Sequence, residues 1–219
     1  FGVLIMVSVQ LALALVLRWK GAGALNIAYL EGGLSWQGIV SGRVWQLFTH
    51  ICLHGNWIHL AVNALLFYYG AARLSHIFSN QRICCLFFVC GLGSGLSHIV
   101  VQAFVPGIPP LVGASGGVTG LLLGFFSISP DSKMIILNIS ARNLSKGVLV
   151  SSALLFLMTP WLGIPLFADL GRWLESAVGN FIFQTAHLVH FVGGILGWVL
   201  IVRFLPRLLS SDDLARMRT

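Results

Sequence analysis

Residues Leu111 to Gly120, LVGASGGVTG, set one serine, Ser115, among glycines where an irregular stretch gives way to an apolar helix. A hydroxyl so placed is positioned as a nucleophile, and it needs a base and a site for the charge that develops on an attacked carbonyl. Two distant segments offer these. His187 is the candidate base, because a neutral imidazole can take a serine proton and return it to a leaving amine. His59 and Asn63 stand four apart on one helix face and both donate hydrogen bonds, which suits an oxyanion shielded from water. Each has an ordinary alternative: a satisfied buried histidine at 187, and a polar pair joining two helices at 59 and 63. His190, three positions after His187, could orient it, replace it or pack. His50 and His54 precede the second helix, where hydrogen bonding to loop backbone is their more ordinary role. The spacing of four then five among His50, His54 and His59 fits no single helix face and brings no acidic or cysteine partner, so no metal and no cofactor is expected.

The elements that must position these residues are membrane helices. With 57% hydrophobic and 9% charged residues over 219 positions, the chain cannot cover a globule with polar surface. Apolar stretches at Phe1–Leu17, Trp57–Leu74, Ile83–Val105, Ser115–Ser129, Val148–Leu166 and Ile182–Phe204 predict six spans in a single domain over 1–219, ending in a short cytoplasmic tail over 205–219. The first stretch starts without Met or a charged flank, so it reads as a span trimmed at its start rather than as a signal peptide. No Asp or Glu lies in these stretches, which leaves a Ser-His dyad rather than a triad and weakens ion-coupled transport. A channel would need a continuous polar path to the inner face, and none is visible.

The net charge of +7 is spread sparsely and mainly over alternate connections, so it reports orientation rather than nucleic-acid binding. Arg73, Arg82, Lys133, Arg142, Lys146, Arg203, Arg207, Arg216 and Arg218 fall on one side, placing both termini in the cytoplasm. Cys52, Cys84, Cys85 and Cys90 show no disulfide framework.

Between the first two spans, Arg18 to Asn56 is long and holds Trp19, Trp36 and Trp45, which suggests a segment lying in the interface. The fourth helix, from Ser115 to the Pro130-Asp131 break, reaches only about 22 Å against a hydrocarbon core of about 30 Å. The approach through Pro106, Gly107, Pro109, Pro110 and Gly113 must supply the missing depth, as non-helical backbone buried in protein or lining a wet cavity. Gly116, Gly120 and Gly124 on the fourth span and Gly193 and Gly197 on the sixth recur at spacing four, which clears faces for close approach and brings His187 to the level of Ser115. Gly163–Gly179 reads as an outer loop able to cover the same cavity.

Taken together, His50-x-x-x-His54-x-x-x-x-His59-x-x-x-Asn63, Gly113-Ala-Ser115-Gly116 and Ala186-His187 resemble the signatures of the rhomboid family of intramembrane serine proteases, in order and spacing over most of the chain. The resemblance implies an all-α polytopic membrane protein, a six-transmembrane-helix bundle with a long interfacial first outer loop and a short fourth helix starting at the nucleophile. It implies Ser115 as nucleophile, His187 as general base and acid, and an oxyanion site of His59, Asn63 and the Ser115 N–H, with Gly113, His54, Thr119 and His190 in support. Substrates would be single-span transmembrane proteins cut within or near the bilayer. The family's lateral gate and cap loop would fall on Val148–Leu166 and Gly163–Gly179, with the site open to the outer side of a cell (inner) membrane.

Three positions depart from the family pattern. Thr119 stands where an aromatic often packs on the histidine, His190 where glycine is usual, and Trp45-Gln46 where Trp-Arg is usual. A bulky His190 implies either a wider helix crossing or a second imidazole at the site. The alternative reading is a non-proteolytic relative that binds transmembrane helices.

Overall fold

The structure, a computed structural model, describes residues 2–20, 23–105, 107–133, 138–179, 182–183 and 186–208. Pro106 of the irregular approach and positions 209–219 of the expected tail, with Arg216 and Arg218, lie outside them. The described backbone is helical, crossed only by isolated bridges between Leu34 and Leu111 and between Lys133 and Ser140.

Six helices carry the apolar stretches: α1 (Gly2–Lys20), α5 (Trp57–Leu74), α6 (Asn80–Phe104), α7 (Ser115–Ile128), α8 (Ala141–Leu157) and α10 (His187–Leu208). The first connection is not a simple loop but holds α2 (Gly23–Gly32), α3 (Trp36–Val40) and α4 (Gln46–Cys52). α6 is the one described helix long and apolar enough by itself to cross a membrane. Leu11 and Leu15, Ile58 and Leu65, Leu96 and Val100 face outward from α1, α5 and α6. So much exposed aliphatic surface would be an aggregation liability in water, whereas lipid solvates it.

Three segments correct the sequence reading. The fifth stretch forms a helix over Ala141–Leu157 rather than Val148–Leu166. The Ser140 hydroxyl caps it by accepting from the Asn143 N–H at 3.3 Å, so it starts seven residues early and carries Arg142 and Lys146 on its first turns. It stops before Thr159-Pro160, because proline at 160 cannot continue the ladder. The expected outer loop Gly163–Gly179 is mostly helix, α9 (Phe167–Val178). Its apolar residues Phe167, Leu170, Trp173, Leu174, Ala177 and Val178 share one face, and Asp169 pairs with Arg172 on the other. The sixth stretch becomes helical only at His187, and it runs through Leu208 into the expected tail.

α7 is the hub. Cys90 and Phe87 of α6 press on Gly120 and Gly117, and Leu121 and Leu122 lie against Gly70 of α5. The anticipated glycine contact with α10 is present: a Cβ on Gly193 would lie far inside contact of the Gly116 carbonyl, and one on Gly197 would meet the Gly120 carbonyl in the same way. These helices touch backbone to backbone. Met6, Leu60, Leu74, Phe87, Val118, Leu121 and Ile201 close the core around them.

Candidate active site

The non-helical approach to Ser115 has backbone groups satisfied by protein, as irregular backbone at membrane depth would require. Leu111 exchanges two hydrogen bonds with Leu34, at 2.8 and 2.9 Å, and the Gly113 N–H donates to the His50 carbonyl at 2.8 Å. The Gln102 amide on α6 donates to the Ile108 and Pro109 carbonyls at 3.0 and 2.9 Å, and His98 Nε2 bonds the Pro109 carbonyl at 3.3 Å. The segment is thereby held on two sides, by the first connection and by α6.

The first connection is itself bolted by Gln46, which has no exposed surface. Its amide donates to the Leu30 carbonyl at 2.8 Å, and its Oε1 accepts from the Ser35 N–H at 3.2 Å. Glutamine at this departure from the family pattern therefore serves as an uncharged bolt. His98, Gln102 and this role of Gln46 escape sequence reading, since their partners lie from six to 66 positions away, at helix ends and in loop backbone, and leave no periodic signal.

Gly113 takes φ of +127°, a left-handed conformation that favours glycine. A Cβ there would sit 2.8 Å from His59 Cε1, 3.0 Å from His59 Nε2 and 3.9 Å from Ser115 Oγ. His59 Nε2 and the serine hydroxyl therefore face one small space, and the missing side chain keeps it open. The Asn56 carboxamide caps α5 by accepting from the His59 N–H at 2.8 Å. Asn63, 3% exposed, donates one amide hydrogen to the His59 carbonyl at 2.9 Å, and its second has no partner among the described residues. Ser115 opens α7 with no side-chain cap from Ala114, so the first N–H groups of the helix are available to an anion.

His187 is buried, and its Nε2 bonds the Ile182 carbonyl at 2.6 Å. Among the described residues it shares no hydrogen bond with Ser115. Phe183 stands edge-on to its ring at 6.3 Å, so an aromatic neighbour comes from just before α10 instead of from position 119. The Thr119 hydroxyl donates to the Ser115 carbonyl at 2.7 Å. His190 lies edge-on to His187 at 6.2 Å, and α7 and α10 remain in backbone contact, so the bulky residue does not widen the crossing.

His50 and His54 are fully packed, at 1% and 0% exposure. His50 Nδ1–H donates to the Gln46 carbonyl at 2.8 Å, and His54 Nδ1–H to that of Cys52 at 3.3 Å. His54 meets His59 edge-on at 5.2 Å, and its buried Nε2 has no partner among the described residues. Burial holds both imidazoles down at about 4, with the charge of neighbouring His59 adding to the effect at His54. Between pH 6.5 and 4 an unfolded chain binds protons that the folded one rejects, so their contribution to stability is full above 6.5 and is lost as pH falls toward 4. The slope approaches roughly 1.4 kcal/mol per pH unit for each histidine. Midpoints of unfolding in detergent should fall steadily between pH 6.5 and 5; a flat profile would contradict this burial.

The class defined by this fold and motif set is a helical membrane protein carrying a serine at the start of a glycine-faced helix. Residues 41–207 match the family described as Rhomboid domain, and the chain belongs to that family. It is 30% identical to RHOMBOID-like protein 4 of Arabidopsis thaliana over 78% of its length and 38% of that relative. It is 31% identical to RHOMBOID-like protein 7 of the same plant, over 78% of its length and 48% of the relative. The chain thus spans less than half the length of these relatives. As a rhomboid it is an integral membrane protein.

Proposed function

We propose that this chain is an intramembrane serine endopeptidase that cuts single-span transmembrane proteins through Ser115 and His187. In this reading α1, α5, α6, α7, α8 and α10 are the six spans, both termini are cytoplasmic, and the site opens to the outer side. The observation that carries it is the convergence at Gly113, where the His59 ring and the Ser115 hydroxyl face one space beside the free N–H groups of α7.

Ser115 Oγ attacks the scissile carbonyl carbon while His187 takes its proton, which requires the imidazole to release the Ile182 carbonyl and carry its hydrogen on Nδ1, so that an unprotonated Nε2 meets the serine hydroxyl. The oxyanion is held by the Ser115 N–H, by His59 Nε2–H and by the second amide hydrogen of Asn63. Collapse breaks the C–N bond, and His187 protonates the leaving amine. Water then hydrolyses the acyl-enzyme ester, with His187 again moving the proton.

Asn63→Ala should lower kcat by about 10²- to 10³-fold with little change in KM, because the lost donor acts on developing charge. Cleavage of a model transmembrane segment by protein in proteoliposomes measures this. An unchanged kcat would remove Asn63 from the oxyanion site. One observation favours the second reading, a non-proteolytic binder of transmembrane helices: His187 is engaged by Ile182 and not by Ser115. Saturable binding of the same segment with no cleavage would decide for it.

A further inference from the structure

We propose that the cleft between α7, α8 and α10, far from Ser115 along α7, binds one anionic phospholipid of the surrounding bilayer. The cleft, about 270 Å³, is lined by Leu123, Arg142, Ser145, Lys146, Leu149 and Trp198. Its walls are apolar and its cations sit at one end. Arg142 and Lys146 are four apart and share a face of α8, with Leu149 three residues further along that helix. Gly194 packs beside two of these lining residues: a Cβ there would lie 2.6 Å from Leu123 Cδ2 and 3.1 Å from Leu149 Cδ2.

Lys146 is exposed and makes no hydrogen bond or ion pair among the described residues. Arg142 bonds Asp131 at 3.0 Å, but both side chains are more than half exposed, and such a pair contributes little and is readily shared. Asp131 is the carboxylate at this end, and the positive N-terminus of α8 lies beside Arg142. The Ser145 hydroxyl donates to the Ala141 carbonyl at 2.9 Å and keeps its lone pairs. Trp198, 48% exposed, lines the cleft and leaves part of its indole on the surface.

Cations above an aliphatic slot, opening onto a lipid-facing surface, match a phosphate above an acyl chain. A soluble anion would gain nothing from Leu123, Leu149 and Trp198. A transmembrane helix, about 10–12 Å across, would need far more than the cleft's volume of about 270 Å³.

The test uses the full chain in detergent, titrated with phosphatidylglycerol or phosphatidylcholine and followed by native mass spectrometry and melting temperature. Phosphatidylglycerol should bind and raise the melting temperature, and phosphatidylcholine should do neither at the same concentration. The double substitution Arg142→Gln, Lys146→Gln, at exposed positions that leave the core intact, should weaken phosphatidylglycerol binding by roughly tenfold or more. A control with the same charge change elsewhere, Arg43→Gln, Arg172→Gln, should stay within about twofold of the parent. Equal losses in the two double variants would mean diffuse charge attraction and overturn the site. Competition by millimolar inorganic phosphate, or equal binding of phosphatidylcholine, would overturn it as well.

Discussion

Ser115→Ala and His187→Ala are each expected to lower cleavage of a transmembrane segment by at least about 10⁴-fold, each alone costing nearly as much as both together. In the proposed mechanism nucleophile and base act as one unit, so removing either would leave only binding and the oxyanion donors. With no carboxylate in the apolar helices, no third residue is available to sustain partial activity. Neither substitution should disturb the fold: Ser115 is half-buried at a helix start, and the contacts joining α7 to α10 are made by Gly116, Gly120, Gly193 and Gly197. Melting temperatures within a few degrees of the parent, with activity gone, are the expected pair of results. Residual cleavage within about tenfold of the parent by Ser115→Ala would move the nucleophile elsewhere.

The second large effect lies in the helix crossing that would deliver His187 to Ser115. Gly193→Val or Gly197→Val would drive a side chain into the Gly116 or Gly120 carbonyl, so the helices must part. Overpacking of this kind costs about 1–3 kcal/mol or more, and a shift of about 1 Å between catalytic groups costs about 10²-fold in rate. Gly193 faces the carbonyl next to Ser115, so its variant should lose more activity per degree of melting temperature than that of Gly197. Gly124→Ala meets an Ile201 side-chain atom at 3.0 Å and should be milder. Gly147→Ala on α8 meets nothing within 4 Å and should be neutral or slightly stabilising. An equal response across this series would show that close approach of α7 and α10 does not matter.

That crossing was legible in the sequence because glycines at spacing four on two apolar stretches have few uses besides backbone contact. The start of α7 at Ser115 was legible for a similar reason, since the Gly- and Pro-rich approach could not be helical. Long-range hydrogen bonds left no such trace. Gln46 reaches Leu30 and Ser35, and Gln102 reaches Trp36 as well as Pro109, across spacings set by how short helices and loops meet and not by any period. Hydropathy misplaces the ends of α8 because it marks lipid contact and not helix ends, which Ser140 and Pro160 determine. α9 was missed although its spacing is helical: Phe167, Leu170, Trp173, Leu174 and Val178 carry the signal, masked by Asp169, Arg172 and Glu175 on the opposite face.

The departures from the family pattern show how neighbours replace lost contacts. Thr119 turns its hydroxyl back onto the Ser115 carbonyl, and Phe183 supplies the ring beside His187. His190 adds a second imidazole edge without separating the helices. The contact that bears most on the proposed mechanism is that of the Ile182 carbonyl with His187 Nε2, because that mechanism requires the bond to yield to Ser115.

The most direct measurement is covalent labelling of purified, folded protein with a fluorophosphonate, read by intact mass and peptide mapping. One adduct is expected, on Ser115, absent from Ser115→Ala and formed at least about 10²-fold more slowly in His187→Ala. No adduct on the folded protein, or an adduct that persists in Ser115→Ala, would contradict Ser115 as the nucleophile.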